Sequence, residues 1–265
     1  MSVFPKIELF NEDCFEGIKR LPPKSVHLVL TDPPFNNTNL DWDKMLINLK
    51  ELHQLLRGCC DSKALLVACT LQPFTTHLMN AFEGCDGAYK SMYYWKKHVV
   101  TGFLLANKKP LRQCEEVLVL KIFKSTSSHT YNPQVIRREK PELKKRSANN
   151  SGTEIYRPHK RIDTVNEWIY PKNLIDFKTG WAERIHPTQK PVEMMEYFIR
   201  TYSDEGDLIL DPFSGSASTA IACLRTNRNF IGFEKNEEYY KKALERIERE
   251  KQNIQLDLFD KNTFI

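Results

Sequence analysis

A short apolar run that ends abruptly on an aspartate followed by proline occurs at two distant points of this chain, and it narrows the possible folds more than any other feature. The first is residues 26–35, VHLVLTDPPF, where four of the first five residues are apolar before Thr31, Asp32, Pro33 and Pro34 end the run. That order predicts a buried strand breaking into a rigid turn. The second is residues 207–219, DLILDPFSGSAST. There Leu208, Ile209 and Leu210 stop at Asp211 and Pro212, and Phe213, Ser214, Gly215 and Ser216 lead into a helix-compatible stretch, 217–224. Ligands of open α/β sheets sit outside the carboxyl ends of strands, so both turns are expected to border a crevice.

Each turn suggests its own ligand chemistry. Two prolines remove two amide donors, leaving carbonyls that only accept hydrogen bonds beside a carboxylate that also only accepts. Such a site suits an NH2 group, and Phe35 adds a flat face for a planar heterocycle carrying that amine. Taken alone, the quartet also fits a turn closing a core strand. The second turn is followed by residues 229–234, NFIGFE, an apolar strand ending on Glu234, 19 residues after Gly215 (234 minus 215). This is close to the spacing at which a carboxylate grips ribose hydroxyls. With one glycine where a dinucleotide site has three, and no Lys-Ser/Thr, the expected ligand is a nucleoside without a pyrophosphate. An ordinary strand-to-helix turn is the plainer alternative. Between the two lies HPTQKP, residues 186–191, opening a helix in which Met194, Met195, Phe198, Ile199 and Tyr202 recur at helical spacing, with Lys190 near the second turn.

TDPPF, HPTQKP, LDPFSGSAST and FIGFE, in that order, resemble the S-adenosylmethionine-dependent amino-methyltransferases of DNA, in the permuted (beta-group) arrangement where the catalytic motif precedes the cofactor motif. The resemblance spans roughly residues 7–247, and the joint occurrence of the motifs is far more specific than any one. It implies an α/β, Rossmann-like methyltransferase fold: a mixed, mostly parallel sheet with helices on both faces, plus a small basic target-recognition insertion. By the same resemblance Asp32, Pro33, Pro34 and Phe35 form the catalytic motif, and Asp211, Phe213, Ser214, Gly215 and Ser216 the cofactor loop. Glu234 is the ribose acid, Thr188 and Lys190 flank the methionine end, and Asp13 of NEDCF (11–15) lies near the adenine. Two positions depart from the family pattern: Ala217 stands where a second glycine is frequent, and Phe35 where tyrosine is commoner. The implied reaction is sequence-specific methylation of adenine N6 in duplex DNA, by base flipping and direct transfer, without a metal. Cytosine N4 methylation, a DNA-binding subunit without turnover, and methylation of RNA or protein stay open. The partners consistent with it are duplex DNA, a second copy of the chain in a homodimer, and a cognate restriction endonuclease.

At 265 residues, 41% hydrophobic and 28% charged, the chain can bury one sizeable core and carry a smaller insertion. Strand and helix signals alternate to residue 123, lapse, and resume at Ile175. The expected division is a catalytic half (1–124), a target-recognition insertion (125–180) and a cofactor-binding half (181–265). Residues 134–163 hold nine Lys or Arg against four acids, a net of +5 that equals the charge of the whole chain. That excess predicts phosphate contacts, with Lys144, Lys145, Arg146, Lys160 and Arg161 foremost, and ordering on the duplex. A second basic stretch, 96–112, contains no acid and includes Lys108 and Lys109, which are expected to flank a flipped nucleotide. The polar loop 36–43, with Trp42, is expected to lie over the cleft. Seven cysteines without a CxxC pair argue for a reducing compartment and against zinc, and no Pro-Cys dipeptide offers the nucleophile of a carbon-directed cytosine methyltransferase. The absence of a long apolar run and of a secretory signal in the first ten residues predicts a cytoplasmic protein with no membrane partner.

Overall fold

The computed structural model describes residues 4–35, 47–124, 128–144, 164–178, 185–186 and 188–262. In chain order its strands are β1 (Ile7–Phe10), β2 (Val26–Thr31), β3 (Cys60–Thr70), β4 (Ala88–Thr101), β5 (Arg112–Lys121), β6 (Ile136–Lys144), β7 (Thr164–Ile169), β8 (Leu174–Asp176), β9 (Leu208–Asp211) and β10 (Asn229–Phe233). The helices are α1 (Cys14–Ile18), α2 (Leu49–Cys59), α3 (Phe74–Glu83), α4 (Val192–Tyr202), α5 (Ser218–Thr226) and α6 (Glu237–Asn262). Contacts divide the chain into two compact units, Met1–Asn132 with Asn173–Ile265, and Pro133–Lys172.

The larger unit is organised on an eight-stranded sheet in the order β1-β10-β9-β2-β3-β5-β4-β8. Within it β5 runs antiparallel to β3 and β4, and the other pairings are parallel. The carboxyl ends of β2, β4, β9 and β10 therefore share one edge with the start of β5. Alternation along β2 shows why the sheet is covered twice. Leu28 and Leu30 join Met194, Phe198 and Ile221 in one core, whereas Val29 joins Leu52, Leu56, Leu78 and Phe82 in the other. Thus α4, α5 and α6 cover one face and α1, α2 and α3 the opposite one. Truncating a fully buried ring such as Phe198 would cost about 3–5 kcal/mol.

The smaller unit contains a hairpin in which β6 pairs β7, with Ile136 opposite Ile169 and Leu143 opposite Val165. Here the structure amends the expected lapse, because β6 and β7 are strands within it; residues 145–163 lie outside the described residues. Ile136, Leu143 and Val165 are exposed, so the ribbon lacks the buried face whose alternation would have marked it as strand. Likewise β4 runs on to Thr101, and α6 continues to Asn262, with Ile254 still packed against the core cluster that holds Ala243 and Ile247. No helix among the described residues is long and apolar enough to cross a membrane.

Candidate active site

Adjacent parallel strands β2 and β9 pair Leu28 with Ile209 and Val29 with Leu210. The chain leaves β2 toward β3 and leaves β9 toward β10, on the other side. Strand order reverses between them, which is where a crevice opens in such sheets. A cavity of about 430 Å³ lies there. Asp32 and Pro34 of the first turn line it together with Asp211, Phe213, Ser214, Gly215 and Ser216 of the second, and with Asp13, Thr188, Lys190 and Glu234. Pro33 and Phe35 lie off its wall; the Phe35 ring is tilted 44° against Phe74 with centroids 5.8 Å apart.

The second turn is shaped by a buried carboxylate. Asp211 Oδ1 accepts from Thr31 Oγ1 at 2.7 Å and from the Phe213 amide at 3.1 Å, while Oδ2 accepts from Thr219 Oγ1 at 2.7 Å. Asp211 therefore ties the end of β2 to the start of α5. Burial pushes its pKa up to about 6 despite those three donors. Gly215 turns the chain at φ +48°, and a Cβ there would project toward His186 with nothing nearer than 4.0 Å, into cavity space. Gly232 of FIGFE has the opposite reason, since a Cβ on it would fall 2.2 Å from Ser214 Oγ. Glu234 closes the turn: Oε2 accepts from the Gly215 amide at 2.9 Å and Oε1 from the Asn236 amide at 2.8 Å. Burial raises its pKa. Ala217 adopts the left-handed conformation at φ +60°, a backbone that glycine would take without a steric cost.

The first turn sits in a row of alternating charges. Lys190 Nζ donates to Asp32 Oδ2 at 2.7 Å and lies 3.7 Å from Glu115 Oε2, whose Oε1 accepts from Lys97 at 2.5 Å. Burial alone would lower the Lys190 pKa, but the Asp32 and Glu115 carboxylates outweigh it and leave it raised. Burial likewise works to raise Glu115, and Lys190 and Lys97 prevail, holding it below the usual carboxylate range. Lys190, grouped by its motif with the cofactor residues, thus borders the cavity with its ammonium on Asp32 of the first turn. Asp13 caps α1 by accepting from the Phe15 amide at 2.9 Å and pairs with Lys235 at 3.0 Å. Those partners lower its pKa against the effect of burial.

Two residues to which the sequence reading gave no role support the site, His186 on the cavity wall and Arg246 behind it. His186 is buried, with Nδ1 3.1 Å from Thr188 Oγ1 and its ring edge-on to Tyr239 at 4.4 Å. Arg246 of α6, also buried, donates to the Ser216 carbonyl at 2.7 Å and to Ser218 Oγ at 3.2 Å. Ser218 Oγ in turn donates to the Lys190 carbonyl at 2.8 Å, so α6 braces both the small-residue turn and HPTQKP. Among the described residues, five acids (Glu12, Asp13, Asp32, Asp211, Glu234) line the cavity against two lysines (Lys190, Lys235), a formal charge of −3. Of the residues assigned to DNA, Lys108 and Lys109 are exposed between β4 and β5, and Lys144 ends β6. Lys145, Arg146, Lys160, Arg161 and the loop 36–43 lie outside the described residues.

An acceptor-lined crevice at the switch point of a parallel sheet, closed by a small-residue turn and by an acid on the next strand, defines an α/β enzyme with a nucleoside-type cofactor site. Residues 26–245 match the DNA methylase family of N6 and N4 methyltransferases, and the chain belongs to that family. It is 26% identical over 261 residues to the DNA adenine methyltransferase YhdJ of Escherichia coli (strain K12), covering 91% of this chain and 82% of that one. The solved complex of M1.HpyAVI with S-adenosylmethionine superposes with a TM-score of 0.61 at 22% identity, covering 91% of this chain and 99% of that one. PvuII DNA methyltransferase, which is cytosine-N4-specific, gives 0.60 at 16% identity over 91% of this chain and 88% of that one. The fold is accordingly the Rossmann-like one of DNA methyltransferases.

Proposed function

We propose that this chain transfers a methyl group from S-adenosylmethionine to the exocyclic N6 of adenine in duplex DNA, at a specific sequence. The observation that carries the reading is that Asp32 and the Gly215 turn border one cavity. Its charge and volume also fit the cofactor. A site of about 430 Å³ whose described lining carries a formal charge of −3 repels phosphates and suits a nucleoside bearing a sulfonium and an ammonium. Asp13 and Glu234 would hold the adenosine end, the backbone at Gly215 would leave room for it, and Thr188 and Lys190 would border the methionine end.

Bound there, S-adenosylmethionine supplies a methyl group on positively charged sulfur. The protein's task is the acceptor nitrogen, a poor nucleophile because its lone pair is delocalised into the heterocycle. Asp32 and the Pro33 carbonyl accept hydrogen bonds from the two amine protons and favour a tetrahedral nitrogen with its lone pair available. As positive charge grows on that nitrogen, the carboxylate stabilises the transition state more than the ground state. Asp32 then takes the proton the nitrogen sheds. Lys190 balances the Asp32 carboxylate through their hydrogen bond, and Glu115 and Lys97 continue the row of alternating charges. The base must leave the helix to reach this turn, at a cost of about a few kcal/mol, and Phe35 offers it a stacking face. The basic segment 134–163 serves target recognition through phosphates, in a cytoplasmic enzyme that acts beside a cognate restriction endonuclease.

Cytosine N4 is the second reading, because its amine meets the same two acceptors and a cytosine-N4-specific enzyme shares the fold. Mass spectrometry of nucleosides from DNA treated with the protein separates them. N6-methyladenine is the expected product, and N4-methylcytosine alone would transfer the assignment to cytosine.

A further inference from the structure

Because β5 runs against β4, the connection between them emerges from the same sheet edge as Asp32 and Asp211. Its root is tied to the site, since Glu115 lies near the start of β5, bonds Lys97 of β4 and approaches Lys190 to 3.7 Å. Beyond that root the last pair is Thr101 with Arg112, Gly102 turns the chain at φ +98°, and one 3-10 turn, Phe103–Leu105, forms the tip. Phe103 is 65% exposed and Leu104 is completely exposed at 102%. Adjacent bulky side chains standing in water contribute nothing to the core, so stability does not account for them.

The surrounding chain indicates what they meet. Residues 96–112 carry Lys96, Lys97, Lys108, Lys109 and Arg112 and no acid. Lys108 and Lys109, directly after the tip, are exposed and join no ion pair among the described residues. An apolar point set between cations matches a polyanion with a stacked, apolar interior, which describes duplex DNA. A second copy of the chain would bring like charge to like charge if the tip paired with itself across a twofold axis.

We propose that Phe103 and Leu104 form a wedge that enters the base stack beside the target and fills the gap left by the extruded base, while Lys108 and Lys109 hold the flanking phosphates. This rests on the methyltransferase reading above and adds the residues that open the duplex. The role is separable from chemistry, because a target already unpaired does not need a wedge.

The test compares the full chain with its Phe103→Ala/Leu104→Ala variant, using tritiated S-adenosylmethionine on native DNA and on the same DNA denatured by heat. The variant should lose at least about tenfold in kcat/KM on the duplex, and no more than about twofold on separated strands, because only the unstacking step is impaired. Its melting temperature should match the parent's, and Phe103→Trp/Leu104→Met should recover the duplex rate. A duplex rate equal to the parent's overturns the wedge. So does an equal loss on both DNA forms accompanied by a sedimentation change from dimer to monomer, which would make the tip a subunit contact. A parent that labels neither form of DNA removes the methyltransferase reading and the wedge together, whereas an active parent with an undiminished variant removes the wedge alone.

Discussion

Asp32 faces Lys190 at 2.7 Å, with the lysine side chain 8% exposed, and this pairing governs both charge and stability at the first turn. Removing the lysine would leave Asp32 and Glu115 as neighbouring carboxylates without their shared cation. Lys190→Ala is therefore expected to destabilise the protein by about 3–5 kcal/mol in denaturant unfolding, beyond the effect of lost packing. Asp211 gives a second signature at this scale. Its pKa rises from the ordinary 3.8 to about 6 on burial, so the folded state binds its proton more tightly than the unfolded chain between those values. Stability should fall as pH rises through that window, by up to about 3 kcal/mol, and level off above it. Glu115 acts in the opposite sense: its depressed pKa contributes stability above 4.5 that disappears as pH falls through its folded value. Asp211→Asn should abolish the decline between about pH 4 and 6, as read by unfolding at a series of pH values.

Among the elements, α6 is the one whose link to the site was least visible beforehand. Arg246 reaches Ser216 and Ser218 from a helix more than twenty residues downstream of the turn it supports. Arg246→Met should keep the helix yet leave those acceptors unbraced, weakening S-adenosylmethionine binding about tenfold by calorimetry. The same contrast runs through the fold. Strands β2 and β9 and their turns were legible because apolar residues alternate between two covered faces and then stop on Asp-Pro. Met194, Phe198 and Tyr202 marked α4 in the same way. Glu115 was not legible, because its nearness to Lys190 depends on β5 being the reversed strand of the sheet, and a lone strand does not reveal its direction. Hairpin β6–β7 was missed for the opposite reason, having no buried face to impose a period.

Over the whole molecule, charge is unevenly divided: the described lining of the cavity is formally negative, while segment 134–163 carries +5. The cavity repels phosphate and the segment attracts it. Lys144→Ala with Lys145→Ala should weaken DNA binding and reduce the dependence of log K on log salt by about two, without changing cofactor affinity. An unchanged slope would put the phosphates elsewhere. The joint claim of fold and site is that a proline turn and a small-residue turn, far apart in sequence, form one reaction chamber with separate duties. Single-turnover methyl transfer by Asp32→Ala at saturating S-adenosylmethionine tests it most directly. The variant should still bind the cofactor but transfer label to DNA about a hundredfold or more slowly than the parent; transfer at the parent's rate would mean that the proline turn takes no part in the reaction.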